Sequence, residues 1–198
     1  MAMNELISHY EALLKLLPKV RVANIYHGTG MGRHEVRHCT FLYWLLNPSA
    51  SHAHGGAFLN IFLSHFGIKL SKPALISAVV TREHSKGKFG RMDITITVKD
   101  ILYMVIEAKT DSKDSIGQLG KYKDALIAAN CYNEYKYCLI VYLTVGGGEP
   151  QFGEADACMS WKEVSEIVRK FTKECRDHSL SVASIEYAKY LSEVMYEF

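Results

Sequence analysis

Two carboxylates, a lysine, a glutamine and a tyrosine in this chain have the types and spacing that hydrolytic chemistry needs. All fall within one stretch, Arg91 to Tyr122, which reads RMDITITVKDILYMVIEAKTDSKDSIGQLGKY. Asp93 sits near the start of one β-like run, and Glu107-Ala108-Lys109 ends the next. Gln118 and Tyr122 follow, four apart, in a helical segment. When water attacks a phosphodiester in line, charge builds on the phosphate oxygens. A divalent cation held by two carboxylates can offset that charge and acidify water. Magnesium takes few protein ligands, chiefly carboxylate and carbonyl oxygens. Asp93 and Glu107 would supply two such oxygens and the Ala108 carbonyl another. Lys109 would orient water and offset phosphate charge. The plainer alternative is a strand-end salt bridge of Lys109 with Glu107 or Asp93. Three charges on a strand backed by an apolar run call for more than that.

The elements that must position these residues can be read from periodicity. Arg91–Val98 and Leu102–Lys109 form a predicted hairpin. Side chains alternate along a strand, so Glu107 and Lys109 share a face with Val105 and Tyr103, and Asp93 shares one with Thr95 and Thr97. Met92, Ile94, Ile96 and Val98, with Met104, Ile106 and Ala108, make an apolar face. Asp93 faces Glu107 only if paired residue numbers sum to an even value near 200. That requires an odd turn, Lys99-Asp100-Ile101, of a common length. A one-residue slip would separate the acids.

Upstream, helices are expected at Asn4–Leu17, His34–Leu46 and Ala57–Phe66, with 19–33 a loop and Leu75–Glu83 a strand. Downstream, Ser115–Asn130 is a predicted helix and Tyr137–Thr144 a buried strand. A short strand at 159–161 leads into helices Lys162–Cys175 and Ser181–Tyr196. The helix between the strands ending at Lys109 and starting at Tyr137 is long enough for a right-handed crossover between parallel strands. A mixed sheet flanked by helices follows.

Composition sets outer bounds. At 198 residues, with 48% hydrophobic and 22% charged, the chain suits one globular domain with a proper core. It has no apolar run long enough for a membrane span and no signal-peptide pattern near Met1. Five cysteines without a C-x-x-C pair favour reduced thiols in a cytosol. The net charge is only +2, but Arg82–Lys123 carries nine Lys/Arg against six Asp/Glu and the remainder sums to −1. The motif segment is therefore the electropositive part, as a polyanion substrate requires.

Asp93 followed by Glu107-Ala108-Lys109 resembles the PD-(D/E)XK nuclease superfamily, with Met92 in place of the motif's proline. Gln118-Leu119-Gly120-Lys121-Tyr122 looks like the Q-x-x-x-Y element of its RecB-type members. The likeness reaches upstream through Glu35-Val36-Arg37-His38-Cys39, FLYWLLNP and SHAHG, and downstream to Tyr142-Leu143-Thr144 and Ser160-Trp161, where it is similar to bacterial members of that superfamily. It covers roughly residues 33–170. The resemblance implies a restriction-endonuclease-like αβββαβ core and Mg²⁺ or Mn²⁺ held by Asp93 and Glu107, with Lys109 catalytic. Glu35, on the first core helix, matches an acid that completes the metal site in many relatives. Glu83 is a weaker candidate for that role. Gln118 and Tyr122 would face the site and steer substrate or water, with Lys121, Arg91 and His38 as further substrate contacts. Lys113 and Lys123 read as generic phosphate contacts or solvated charges. Ser115-x-x-Gln118 equally fits a capping box, and Tyr122 one turn on could simply pack.

A competing motif precedes all this. His34-Glu35-Val36-Arg37-His38 is literally H-E-x-x-H, which on a helix can bind zinc with Glu35 as general base. It ranks second. It sits at a helix start, Phe41 occupies the glycine position of the extended zinc motif, and it leaves Asp93, Glu107, Lys109 and Gln118 without a role. His52 and His54 read as loop residues. The expectation is thus one α/β domain over 1–198, with a mixed sheet of four or more strands and extra helices at both ends. It would act as a cytoplasmic, divalent-metal-dependent nuclease on nucleic acid, DNA foremost. A homodimer would suit double-strand cutting. A silent domain that only binds nucleic acid or protein is the third reading.

Overall fold

The structure, a computed structural model, describes residues 24–85, 87–111 and 115–195, and the isolated positions 8, 9 and 12. Apart from those three positions, the helix expected at Asn4–Leu17 lies outside the described residues, as does Lys113.

Five strands form one mixed sheet in the order β1-β2-β3-β4-β5. β1 (Val79–Ser85), β2 (Arg91–Val98) and β3 (Leu102–Ala108) are antiparallel neighbours. β4 (Tyr137–Thr144) and β5 (Ala157–Ser160) add in parallel. The described residues also hold eight helices. They are α1 (Ile25–Gly28), α2 (Glu35–Leu46), α3 (Ala57–His65), α4 (Lys72–Ile76), α5 (Gln118–Ala128), α6 (Cys131–Glu134), α7 (Trp161–Glu174) and α8 (His178–Val194). The α/β class, the mixed sheet and its flanking helices agree with the restriction-endonuclease-like expectation. None of these helices is long and apolar enough to cross a membrane.

The hairpin has the expected parity. Val98 pairs with Leu102 and Ile94 with Ile106, so paired numbers sum to 200 around the three-residue turn Lys99-Asp100-Ile101. The Ile101 N–H closes the turn on the Val98 carbonyl at 3.0 Å. Asp100 takes φ +59°, a left-handed conformation that Asp tolerates better than most residues.

This register sends Ile94, Ile96, Val98, Met104, Ile106 and Ala108 into the larger core. There they meet Val141 and Leu143 of β4 and residues of α2, α3, α7 and α8. Each fully buried Ile or Leu side chain contributes ~1.5–3 kcal/mol. The other face packs Tyr103, Val105, Ile140 and Tyr142 against Leu119, Tyr122, Ala125 and Leu126 of α5. The crossover helix thereby covers the face from which Glu107 and Lys109 project.

Several expectations need correcting. Met92 joins the smaller α5-side cluster, not the apolar face of Ile94. Pairing of β2 with β3 stops at Ile94–Ile106, and Glu83 in β1 has φ +54°, so strict alternation is not imposed on residues 91–93. Leu75 and Ile76 belong to helix α4, not to a strand. Ser71 caps it by accepting from the Ala74 N–H, and Pro73 suits a first turn. Within the expected 19–33 loop, Asn24 caps the short helix α1. α7 starts at Trp161, where Ser160 and Glu163 form a capping box. α8 starts at His178, capped by Asp177.

Candidate active site

β2 and β3 run antiparallel, so the start of one lies beside the end of the other. This brings Asp93 to the Glu107 end of β3. The Asp93 carboxylate accepts a hydrogen bond from the Ala108 N–H at 3.0 Å, in the place where a ladder partner would sit. Glu107 is 1% exposed and Lys109 9%. The Lys109 ammonium donates to Glu107 Oε1 at 2.5 Å. The Lys109 backbone is pinned on both sides, by its N–H to the Leu143 carbonyl at 2.7 Å and by Trp161 Nε1–H to its carbonyl at 3.1 Å. β4 and α7 therefore hold the lysine at the strand end.

The second Glu107 oxygen meets the Tyr122 hydroxyl at 2.9 Å. That hydroxyl also lies 2.6 Å from the Arg91 carbonyl and accepts from Gln118 Nε2 at 2.8 Å. A phenol has one proton to donate. If it goes to the closer Arg91 carbonyl, Glu107 must carry the proton of the 2.9 Å contact. Burial, and then the Asp93 charge, lift the Glu107 carboxyl to about 7 against the opposing pull of Lys109 and Tyr122. Burial also raises Asp93, partly offset by the Ala108 N–H. Burial works against the Lys109 ammonium, but Glu107, Glu35 and Asp93 together outweigh it and raise it.

Gln118 and Tyr122 thus sit one helical turn apart on the side of α5 facing Glu107. The capping-box alternative is not realised. α5 begins at Gln118 after a left-handed Gly117, without a side-chain cap. Glu35 comes from the other layer, in the first turn of α2. Its carboxylate accepts from the Thr110 N–H at 3.4 Å, and its charge raises both Asp93 and Lys109.

Among the described residues, no three or more His, Cys, Asp or Glu side chains converge as a ready metal cage. The donors still fit a hard cation that uses few protein ligands. The Asp93 charge raises the proton affinity of Glu107, and the Glu35 charge that of Asp93, a cost that a cation relieves. The N–H and C=O of a strand residue point the same way, so the Ala108 carbonyl faces the side from which Asp93 takes its N–H.

Other expected site residues are placed differently. His38 is fully buried. Its Nε2–H donates to the Gly32 carbonyl at 2.9 Å and its Nδ1 accepts from the Tyr187 hydroxyl at 3.0 Å. Burial holds it neutral by lowering its pKa. It is a core histidine, not a substrate contact, and it has no lone pair left for zinc. His34 is the extended, exposed residue before α2. The H-E-x-x-H reading is not supported: both His38 ring nitrogens are engaged, and among the described residues no cluster of three metal-ligating side chains forms. Arg91 contributes its carbonyl to Tyr122, while its exposed guanidinium lies 3.7 Å from Glu83. Glu83 is thus turned toward Arg91 and, at 4.0 Å, Arg82. Lys121 is exposed on α5 beside Tyr122, and Lys123 pairs with Glu154 at 2.9 Å. His52 and His54 lie in the loop as expected.

The site borders a small open cleft lined by Glu107, Lys109, Ser115, Gln118, Tyr142 and Phe152, among others. Sequence reasoning missed Phe152. Its signal was a single aromatic in the otherwise polar, Gly- and Pro-bearing run Gly148-Glu149-Pro150-Gln151-Phe152-Gly153-Glu154. It also missed Arg33, which bonds the Val194 and Met195 carbonyls at the end of α8 and Asp111 after β3. A lone arginine in a loop gave no cue to that.

Compared with known proteins, the chain matches no curated protein and no solved structure. A family model for the PD-(D/E)XK nuclease superfamily matches residues 23–197. That span takes in the whole sheet, the helices on both its faces and the strand ends that carry Asp93, Glu107 and Lys109, and on this match the chain belongs to the PD-(D/E)XK nuclease superfamily.

Proposed function

We propose that this protein is a divalent-metal-dependent nuclease that hydrolyses phosphodiester bonds in DNA. One observation carries the reading. At the open end of the sheet a buried glutamate is bonded by both a lysine and a tyrosine, next to an aspartate fixed by a backbone N–H, and all adjoin a cleft. Mg²⁺ or Mn²⁺ held by Asp93, Glu107 and the Ala108 carbonyl, with Glu35 near, would supply charge to the phosphate oxygens and favour loss of a proton from water.

The chain's own residues do the rest. Lys109 presents a fixed ammonium to the phosphate and to the attacking water. Tyr122, oriented by Gln118 and Arg91, keeps the Glu107 carboxylate from turning away. Ala108 N–H holds Asp93. Water adds to phosphorus, the bond to the leaving oxygen breaks, and that oxygen takes up a proton. Exposed Lys121 is suited to backbone phosphates.

The test is cleavage of linear, circular and single-stranded DNA, with RNA alongside, in Mg²⁺, in Mn²⁺ and in chelator. Cutting of DNA that needs either ion is the expected result. Cutting of none of these polymers in either ion overturns the reading, and cutting of RNA alone overturns its DNA part.

A further inference from the structure

Phe152 is an aromatic side chain left 41% exposed at the wall of the cleft that holds Glu107 and Lys109. Scattered apolar residues on a surface need no explanation. This one differs in two respects. The first is its place, since it lines the cleft together with the proposed catalytic lysine. The second is how firmly its loop is anchored. Gly153 takes φ +91° and lies so close to α5 that an added Cβ would stand 3.1 Å from Leu119 Cβ. Glu154 pairs with Lys123 on α5 at 2.9 Å. The Asp156 carboxylate accepts from the Ile140 N–H at 2.7 Å. Three ties fix the segment that presents the ring. A second uncovered apolar residue, Ile116, is 80% exposed and follows the cleft-lining Ser115.

Paired duplex keeps its base faces stacked inside and offers a cleft only its charged backbone, which gains nothing from a benzene ring. An unpaired base has an open π-face, and stacking on an aromatic side chain is how proteins hold single strands without reading sequence. We propose that Phe152 is a substrate-binding residue that stacks on an unpaired base next to the scissile phosphate. The substrate class is then single-stranded nucleic acid, or a strand end or flap with unpaired bases. This inference rests on the nuclease reading for the identity of the cleft.

The experiment measures binding apart from cutting. In a Lys109→Ala background with Mg²⁺, fluorescence anisotropy follows a labelled single strand and the same sequence as blunt duplex. Phe152→Ala and Phe152→Trp are added to that background. The single strand should bind more tightly than the duplex. Phe152→Ala should weaken single-strand binding about tenfold and leave duplex binding unchanged, while Phe152→Trp retains affinity. Single-strand affinity that is unmoved in Phe152→Ala, or that falls equally with the duplex, overturns the proposal. So does loss in Phe152→Trp as large as in Phe152→Ala. If Phe152-dependent single-strand binding persists but the chain with Lys109 intact cuts nothing, the nuclease reading fails and the stacking site stands. Single-strand cutting indifferent to Phe152 sinks the stacking site and leaves the nuclease.

Discussion

The His34–His38 segment and the joined ends of β2 and β3 both bear residue types able to do chemistry, and the fold uses them in opposite ways. At the start of α2, His38 spends both ring nitrogens on Gly32 and Tyr187 inside an aromatic cluster with Trp161 and Tyr190. His34 stays outside the helix. At the end of β3, Glu107 is just as buried, yet its charged partner Lys109 and its support Gln118 line an open cleft. A spacing pattern becomes a site where polar groups are held in place with capacity left over. It becomes structure where every polar atom is already matched.

Substitutions sharpen this contrast, and the largest effect should come from Lys109→Ala. Removing a group poised for proton handling and charge costs roughly 10²–10⁴-fold in rate. Circular dichroism should show the fold intact, since the lysine's backbone bonds remain.

His38→Ala should act on stability instead. It leaves a cavity and strands the Tyr187 hydroxyl, at a cost of about 2–4 kcal/mol by urea unfolding. The folded fraction should still cut. A stable His38→Ala that no longer cuts would blur the two regions.

With pH the two regions pull in opposite directions. Burial and Asp93 lift Glu107 from the usual carboxylic-acid range to about 7. The folded chain then holds a proton that the unfolded chain has released. That contribution is complete below the unfolded value and is lost as pH rises through about 7. Burial lowers His38, so its contribution is present above the unfolded value near 6.5 and is lost as pH falls. Unfolding of the metal-free protein between pH 5 and 8, compared with Glu107→Gln, isolates the first effect. Relative to the variant, the wild type should lose stability as pH rises. A relative gain would contradict the assignment.

The smallest effect should be that of His34→Ala. An exposed side chain outside the helix should change stability by no more than ~0.5 kcal/mol and leave cutting unaltered.

Much of this arrangement was legible in the chain because β-sheet parity is a strict constraint. The two apolar faces can align only in an even register, observed as pairs that sum to 200, and this sets the Asp93 end of β2 beside the Glu107 end of β3, although the ladder stops at Ile94–Ile106. The crossover between β3 and β4 likewise followed from length alone. The misses share a different cause. Met92 changed faces where Glu83 leaves ordinary strand geometry, and a positive φ at a glutamate carries no mark in the sequence. Helix starts moved where local capping competed, as at Ser160 and Asp177, and the Ser71 cap opened a helix where the strand was expected to begin. Gln118 offered two roles of equal sequence merit, and the left-handed Gly117 decided against the cap. Phe152 was hidden because periodicity says nothing about which loop folds over a strand end.

The most direct test compares cleavage by the wild type, Lys109→Ala and His34→Ala on one panel of linear, circular and single-stranded DNA with Mg²⁺ or Mn²⁺. The account predicts that the wild type and His34→Ala cut alike and that folded Lys109→Ala does not. Cutting that survives in Lys109→Ala but is destroyed in His34→Ala would move the chemistry to the α2 histidines and contradict it.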